Sequence, residues 1–231
     1  RGVVATREVR FPVQAPAFIR LVGGLAEAEV PPSAPALAER LGQWLDWNRA
    51  VVLSRALDGR LPEAGETGDA AGLADADECA RVRAGLVEAI TGERGLLLPA
   101  AELPVGFAPL RNHALAMQRA MQAATGRLRG QLRDRLAARS PAQARLAEVD
   151  GVMEQTLSPR EQALLALVPV PLAAHFERLR AAAAPAATTA TDLPAGPWLA
   201  LFRRDLQDVL LAELDVRFQP VEGLLAALRT E

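Results

Sequence analysis

Residues 110–132 read LRNHALAMQRAMQAATGRLRGQL, and their spacing decides the fold class. Apolar side chains recur at Leu110, Ala114, Met117, Met121, Ala124, Leu128 and Leu132, in steps of four and three. That rhythm places them on one side of an α-helix, as a seam suited to packing on another helix. The pattern predicts a helix from about Pro109 to Arg139, the longest in the chain. Gly126 and Gly130 weaken it by about 1 kcal/mol each relative to alanine.

The same rhythm spreads outward from this seam. Downstream, Ser140-Pro141-Ala142-Gln143 and Ser158-Pro159-Arg160-Glu161 both read as a capping box with proline at the first helical position. The second of these helices is expected to break at Val168-Pro169-Val170-Pro171 and resume through Leu172 to Ala183. Residues 184–196 are rich in Ala, Thr and Pro and read as a linker. A last long segment, Pro197 to Phe218, sets Trp198, Leu199, Phe202, Leu206, Leu210 and Leu214 on one face. Pro220 is expected to open a short final helix.

Upstream, Ala15 to Ala28 reads as a short helix stopped by Pro31 and Pro32. Ser33 caps a helix to about Leu57, with Val52 and Leu57 near its apolar side. Residues 58–74 hold five glycines and prolines with several acids, and read as a mobile loop. Asp75 or Asp77 begins a helix through Ile90, followed by a connector over residues 92–105. Strand-like alternation is nearly absent beyond Val3 to Phe11. The reading is an all-α protein: an irregular bundle of seven to eight helices, one of them long and central, in a single domain over residues 1–231.

Composition narrows the chemistry. The 231 residues include no lysine and no tyrosine, two histidines and one cysteine, so all 26 basic charges are arginine. Without lysine there is no P-loop, no pyridoxal Schiff base and no kinase-type ATP lysine. No cysteine pair and no H-E-x-x-H offers a zinc site. No catalytic, cofactor or metal residue is therefore assigned. One cysteine makes no internal disulfide, and a net charge of −2 gives no global attraction to nucleic acid or membrane. The most apolar stretch, Ala163 to Ala174, is too short and proline-broken to span a bilayer. Residues 1–11 carry no apolar leader, so a cytoplasmic location is expected.

The remaining reactive side chains have plain structural readings. His113 and His175 flank packing faces, His113 as a half-buried group making one hydrogen bond. Cys79, between acids in Asp77-Glu78-Cys79, reads as a structural thiol. Asp150 and Glu154 share a helix face and read as solvated, with a metal-assisted hydrolase as the sharper alternative. Trp44 and Trp47 read as core or interface anchors.

Charge patterning yields two candidate surfaces. Arg127, Arg129, Arg133, Arg135, Arg139 and Arg145 cluster with only Asp134 against them. A nucleic-acid footprint looks like this, but no aromatic residue is interleaved for base stacking. Asp205, Asp208, Glu213, Asp215 and Glu222 form an acidic set that is expected to meet those arginines within the fold or across subunits. The segment from Trp198 to Leu225 is the preferred contact surface, carried by Trp198, Phe202, Asp205, Asp208, Glu213 and Asp215.

Several blocks also resemble a known family. They are Gln43 to Trp47 with Val51 to Ser54, Glu78 to Arg83, Val149 to Gln155, His175 to Leu179, Phe202 to Leu214, and Gln219 to Leu225. Together they resemble a proteobacterial family of unknown function over nearly the whole chain. The resemblance implies small cytosolic accessory proteins encoded beside stator-like proteins of the MotA/TolQ type and OmpA-like peptidoglycan binders. That neighbourhood is similar to type III Zorya phage-defence operons. The implied function is non-enzymatic binding of a protein encoded nearby, or of a second copy of the chain. A nucleic-acid-binding effector using Arg127 to Arg145 is the alternative.

Overall fold

The computed structural model describes residues 17–27, 44, 47–58, 70–92, 106–183 and 196–229. Seven helices run through them: α1 (Ala17–Leu25), α2 (Trp47–Asp58), α3 (Ala70–Thr91), α4 (Phe107–Ala137), α5 (Pro141–Leu165), α6 (Pro169–Ala183) and α7 (Pro197–Arg229). No strand occurs among the described residues, so the all-α reading holds. The expectations for Val3 to Phe11, Pro31-Pro32 and the Ser33 cap lie outside these residues. So do most of the loop at 58–74, the connector at 92–105 and the linker at 184–196.

The seam on α4 is buried as its spacing predicts. Leu110, Ala114, Met121, Ala124, Leu128 and Leu132 are buried, and Met117 packs at their edge. They face α7, whose Trp198, Leu199, Phe202, Leu206, Leu210 and Leu214 are buried in turn. The α4–α7 pair is the axis of the bundle. Around it, α1, α3 and α6 pack on α7, and α5 folds back along α4. At one end Phe176 of α6 meets Phe202 edge-on at 5.1 Å and Trp198 at 5.2 Å, with Phe107 at 5.6 Å. Full burial of one such side chain is worth about 1.5–3 kcal/mol.

Several boundaries differ from the sequence reading. The longest helix is α7, at 33 residues against 31 for α4. It runs straight through Pro220 instead of restarting there. Likewise α5 contains Pro159 within its span, so Ser158 is no cap. The local signals of the two boxes are alike, but their outcomes differ. Ser140 caps α5, its side-chain oxygen accepting the Gln143 N–H at 3.2 Å, while Ser158 sits between Thr156 and Leu165, both buried on the continuing helix. The expected break comes earlier than read, at residues 166–168, and Pro169 and Pro171 fall in the first turn of α6, where a missing N–H costs no helical hydrogen bond. α3 starts at Ala70, so the end of the expected loop is helical. On α2 the expected apolar side is turned outward: Val52 and Leu57 are exposed.

Candidate functional site

The polar residues of this fold gather where α4, α5 and α7 meet. Arg129 and Arg133 lie one turn apart on α4, and Asp150 and Glu154 lie one turn apart on α5. Because a short turn returns α5 along α4, the two pairs face each other. Arg129 grips Asp150 as a fork, its Nε donating to Oδ2 at 2.8 Å and Nη2 to Oδ1 at 2.7 Å. Arg133 donates from one nitrogen to both Asp150, at 3.0 Å, and Glu154. Arg129 and Asp150 are each 14% exposed. Burial alone pushes the Arg133 guanidinium down, but its hydrogen bonds to Glu154 and Asp150, with their charges, outweigh this and hold it above its ordinary value. The two carboxylates are thus neutralised inside the helix pair. The solvated face read from their spacing is corrected, since both carboxylates are taken up by arginines; among the described residues no group of three His, Cys, Asp or Glu side chains suited to a metal occurs.

A second network lies deeper. Glu213 of α7 is fully buried. It accepts from Arg217 Nε at 2.9 Å and from Gln118 Nε2 at 2.8 Å. Gln118 also donates to the Leu165 carbonyl at 3.2 Å, tying the end of α5 to α4 and α7. A buried carboxylate persists only when its lone pairs are met this fully. The signal for this network was visible: Gln118 is a polar residue between Ala114 and Met121 on an otherwise apolar seam.

The expected pairing of the arginine stretch with the acids of α7 is corrected in its partners. Arg129 and Arg133 take α5 carboxylates instead. Arg135 lies 3.7 Å from Asp75 of α3, and Arg139 donates to the Leu228 carbonyl. Arg127 is exposed. The α7 acids have other partners: Arg83 of α3 bridges Asp215 and Glu222, each at 2.6 Å, with its guanidinium over the Phe218 ring. Asp205 pairs with His175 Nε2 at 2.6 Å. The Arg178 guanidinium lies 3.5 Å from Nδ1 on the other side of the ring.

Of the six residues proposed as a contact surface, Trp198, Phe202 and Glu213 are buried in the core. Asp205 and Asp215 are held in the pairs above, and Asp208 is exposed. This face completes the core. Of the two indole anchors, Trp44 lies under the Arg160 guanidinium at 5.2 Å, whereas Trp47 is 81% exposed. Cys79 is buried, and burial, with Asp75 and Glu78 nearby, pushes its thiol above the ordinary value. His113 is pushed down by burial, and its Nε2 is buried with no hydrogen-bond partner, so the single bond expected there is not made at that atom.

Beside the two networks, a half-open cleft of about 650 Å³ separates α4, α5 and α7. Among the described residues no helix is long and apolar enough to cross a membrane. A family model described as "Protein of unknown function (DUF3348)" matches residues 5–230. No curated protein and no solved structure matches the chain.

Proposed function

The chain belongs to this family of proteins of unknown function (DUF3348), and on that premise we propose that it is a non-enzymatic, cytoplasmic protein-binding component, an accessory of a stator-like membrane machine. The observation that carries the binding reading is the bend between α5 and α6. Leu164, Leu167 and Val170 are 65%, 60% and 67% exposed there. Pro169 and Pro171 stiffen the bend. Large apolar side chains clustered on a rigid elbow fit a protein contact better than free solvent. The contact surface therefore moves from α7, which is turned inward, to this elbow.

The setting comes from the resemblance set out above, to accessory proteins beside MotA/TolQ-type and OmpA-like proteins in phage-defence operons of the type III Zorya kind. Support for a non-enzymatic role comes from where the reactive groups sit. Asp150 and Glu154 are neutralised, and the Cys79 thiol is buried and held protonated. The nucleic-acid alternative is weakened because Arg129, Arg133 and Arg139 are committed within the fold.

Co-expression with the neighbouring gene products tests this reading. A stoichiometric complex is expected, lost in the triple variant Leu164→Glu, Leu167→Glu, Val170→Glu while helical content stays unchanged. No complex with any neighbour, from cells carrying the intact operon, would overturn it. DNA binding with a steep salt dependence, weakened by Arg127→Ala, would favour the alternative instead.

A further inference from the structure

Pro159 of α5 and Pro220 of α7 lie inside their helices, and both line the cleft between α4, α5 and α7. A proline within a helix has no N–H to give the carbonyl four residues back. Those carbonyls belong to Gln155 and Val216, and both residues line the same cleft. Two separate helices thus each leave an acceptor without its helical donor beside one space.

Charge in the cleft points the same way. Its two arginines are spent: Arg129 on Asp150 and Arg217 on Glu213, neither acid lining the cleft. Glu154 is matched by Arg133. Glu161, 40% exposed, shares Arg217 with the buried Glu213, its Oε1 accepting from Nη1 at 3.5 Å. Gln122, Gln162 and Gln219 add amide oxygens, and no aromatic side chain lines the walls. With the partners Arg133, Asp150 and Glu213 counted, three arginines face four carboxylates around the cleft, which leaves acceptors and one surplus negative charge, but no platform for a flat ring or a sugar face.

We propose that this cleft binds a primary ammonium or guanidinium group on a short flexible chain. Glu161 supplies the charge, and the Gln155 and Val216 carbonyls with the glutamine amides take the N–H donors, of which such a group carries about three to five. The group comes either from a free amine or from a lysine or arginine side chain of another polypeptide. The site does not depend on the elbow contact.

Calorimetric titration of the full chain tests it, with agmatine, putrescine and a blocked Gly-Arg-Gly peptide as probes, and magnesium chloride and potassium chloride as controls. Gly126 lines the cleft, and a Cβ added there meets nothing within 4 Å. Gly126→Leu therefore fills the space while favouring the helix. Saturable binding of at least one amine or guanidine probe is expected. Glu161→Gln should weaken it by about tenfold or more, the loss of a charge-assisted contact. Gly126→Leu should abolish it with the circular dichroism and thermal midpoint retained. Tighter binding of agmatine than of the peptide identifies a free amine as the source, and the reverse identifies a partner side chain. No saturable heat from any of the three probes overturns the proposal. So does binding of magnesium alone, or amine binding unchanged in Gly126→Leu, the variant that decides the matter should Glu161→Gln fail to fold.

Discussion

Arg127 and Arg129 stand two positions apart on α4 and meet opposite environments. Arg127 is exposed, while Arg129 forks onto a carboxylate as buried as itself. Removing Arg129 leaves Asp150 with only the shared Arg133 contact. Arg129→Ala should therefore cost about 2 kcal/mol in urea unfolding, the order for stranding a mostly buried charge. Arg127→Ala should stay within about 0.5 kcal/mol. Equal effects would mean that the network contributes nothing. His113 carries a pH signature at the same scale. Burial lowers its pKa from 6.5, so near that pH the unfolded chain takes up a proton that the folded chain refuses. Stability then falls as pH drops below about 6.5, until the folded imidazole titrates as well. Replacing His113 with glutamine should flatten that part of the profile, measured as urea midpoints between neutral and mildly acidic pH. A variant whose midpoint falls as steeply as the wild type's places the acid sensitivity elsewhere.

Helix starts show what local sequence carries and where it stops. Ser140→Ala should cost about 1 kcal/mol, because Ser140 holds the first turn of α5. Ser158→Ala should cost less than about 0.5 kcal/mol, because no helix begins there. A comparable loss at both serines in thermal unfolding would contradict the continuous α5. The two boxes are indistinguishable by spacing, yet only one is a boundary. What separates them is tertiary: Pro159 and Gln155, whose carbonyl loses its helical donor, are exposed residues beside a cleft, and burial of Thr156 and Leu165 keeps the helix going. Pro220 passes through α7 for the same kind of reason, between buried Phe218 and Val221. The apolar faces of α4 and α7 were legible because periodicity is a property of one helix. The partners of the arginines were not, since Arg129 meets Asp150 rather than Asp215 through the turn that folds α5 back, and no single-helix pattern encodes that choice. Gln118 was the one legible trace of the buried network.

At the scale of the molecule, packing is uneven, and stability should follow it. α7 touches α1, α3, α4, α5 and α6, and it carries the fully buried Phe202, Leu206, Leu210 and Leu214. Opening it exposes most of the core, so its amides can exchange only when the whole fold opens. α2 is the opposite case. It packs on α5 and has no other extensive contact among the described helices. Between Trp47 and Asp58 its one buried residue is Ala56, and Trp47, Val52 and Leu57 face solvent. Detaching α2 sacrifices little apolar burial, so it should open alone, with a free energy well below the global value and nearly insensitive to low urea. Native-state hydrogen exchange read by mass spectrometry separates the two regimes. Peptides covering Trp47 to Asp58 should exchange fast, with a flat denaturant dependence, while those covering Phe202 to Phe218 should follow global unfolding. Slow, urea-dependent exchange in α2 would mean that it is locked to the core by contacts beyond α5.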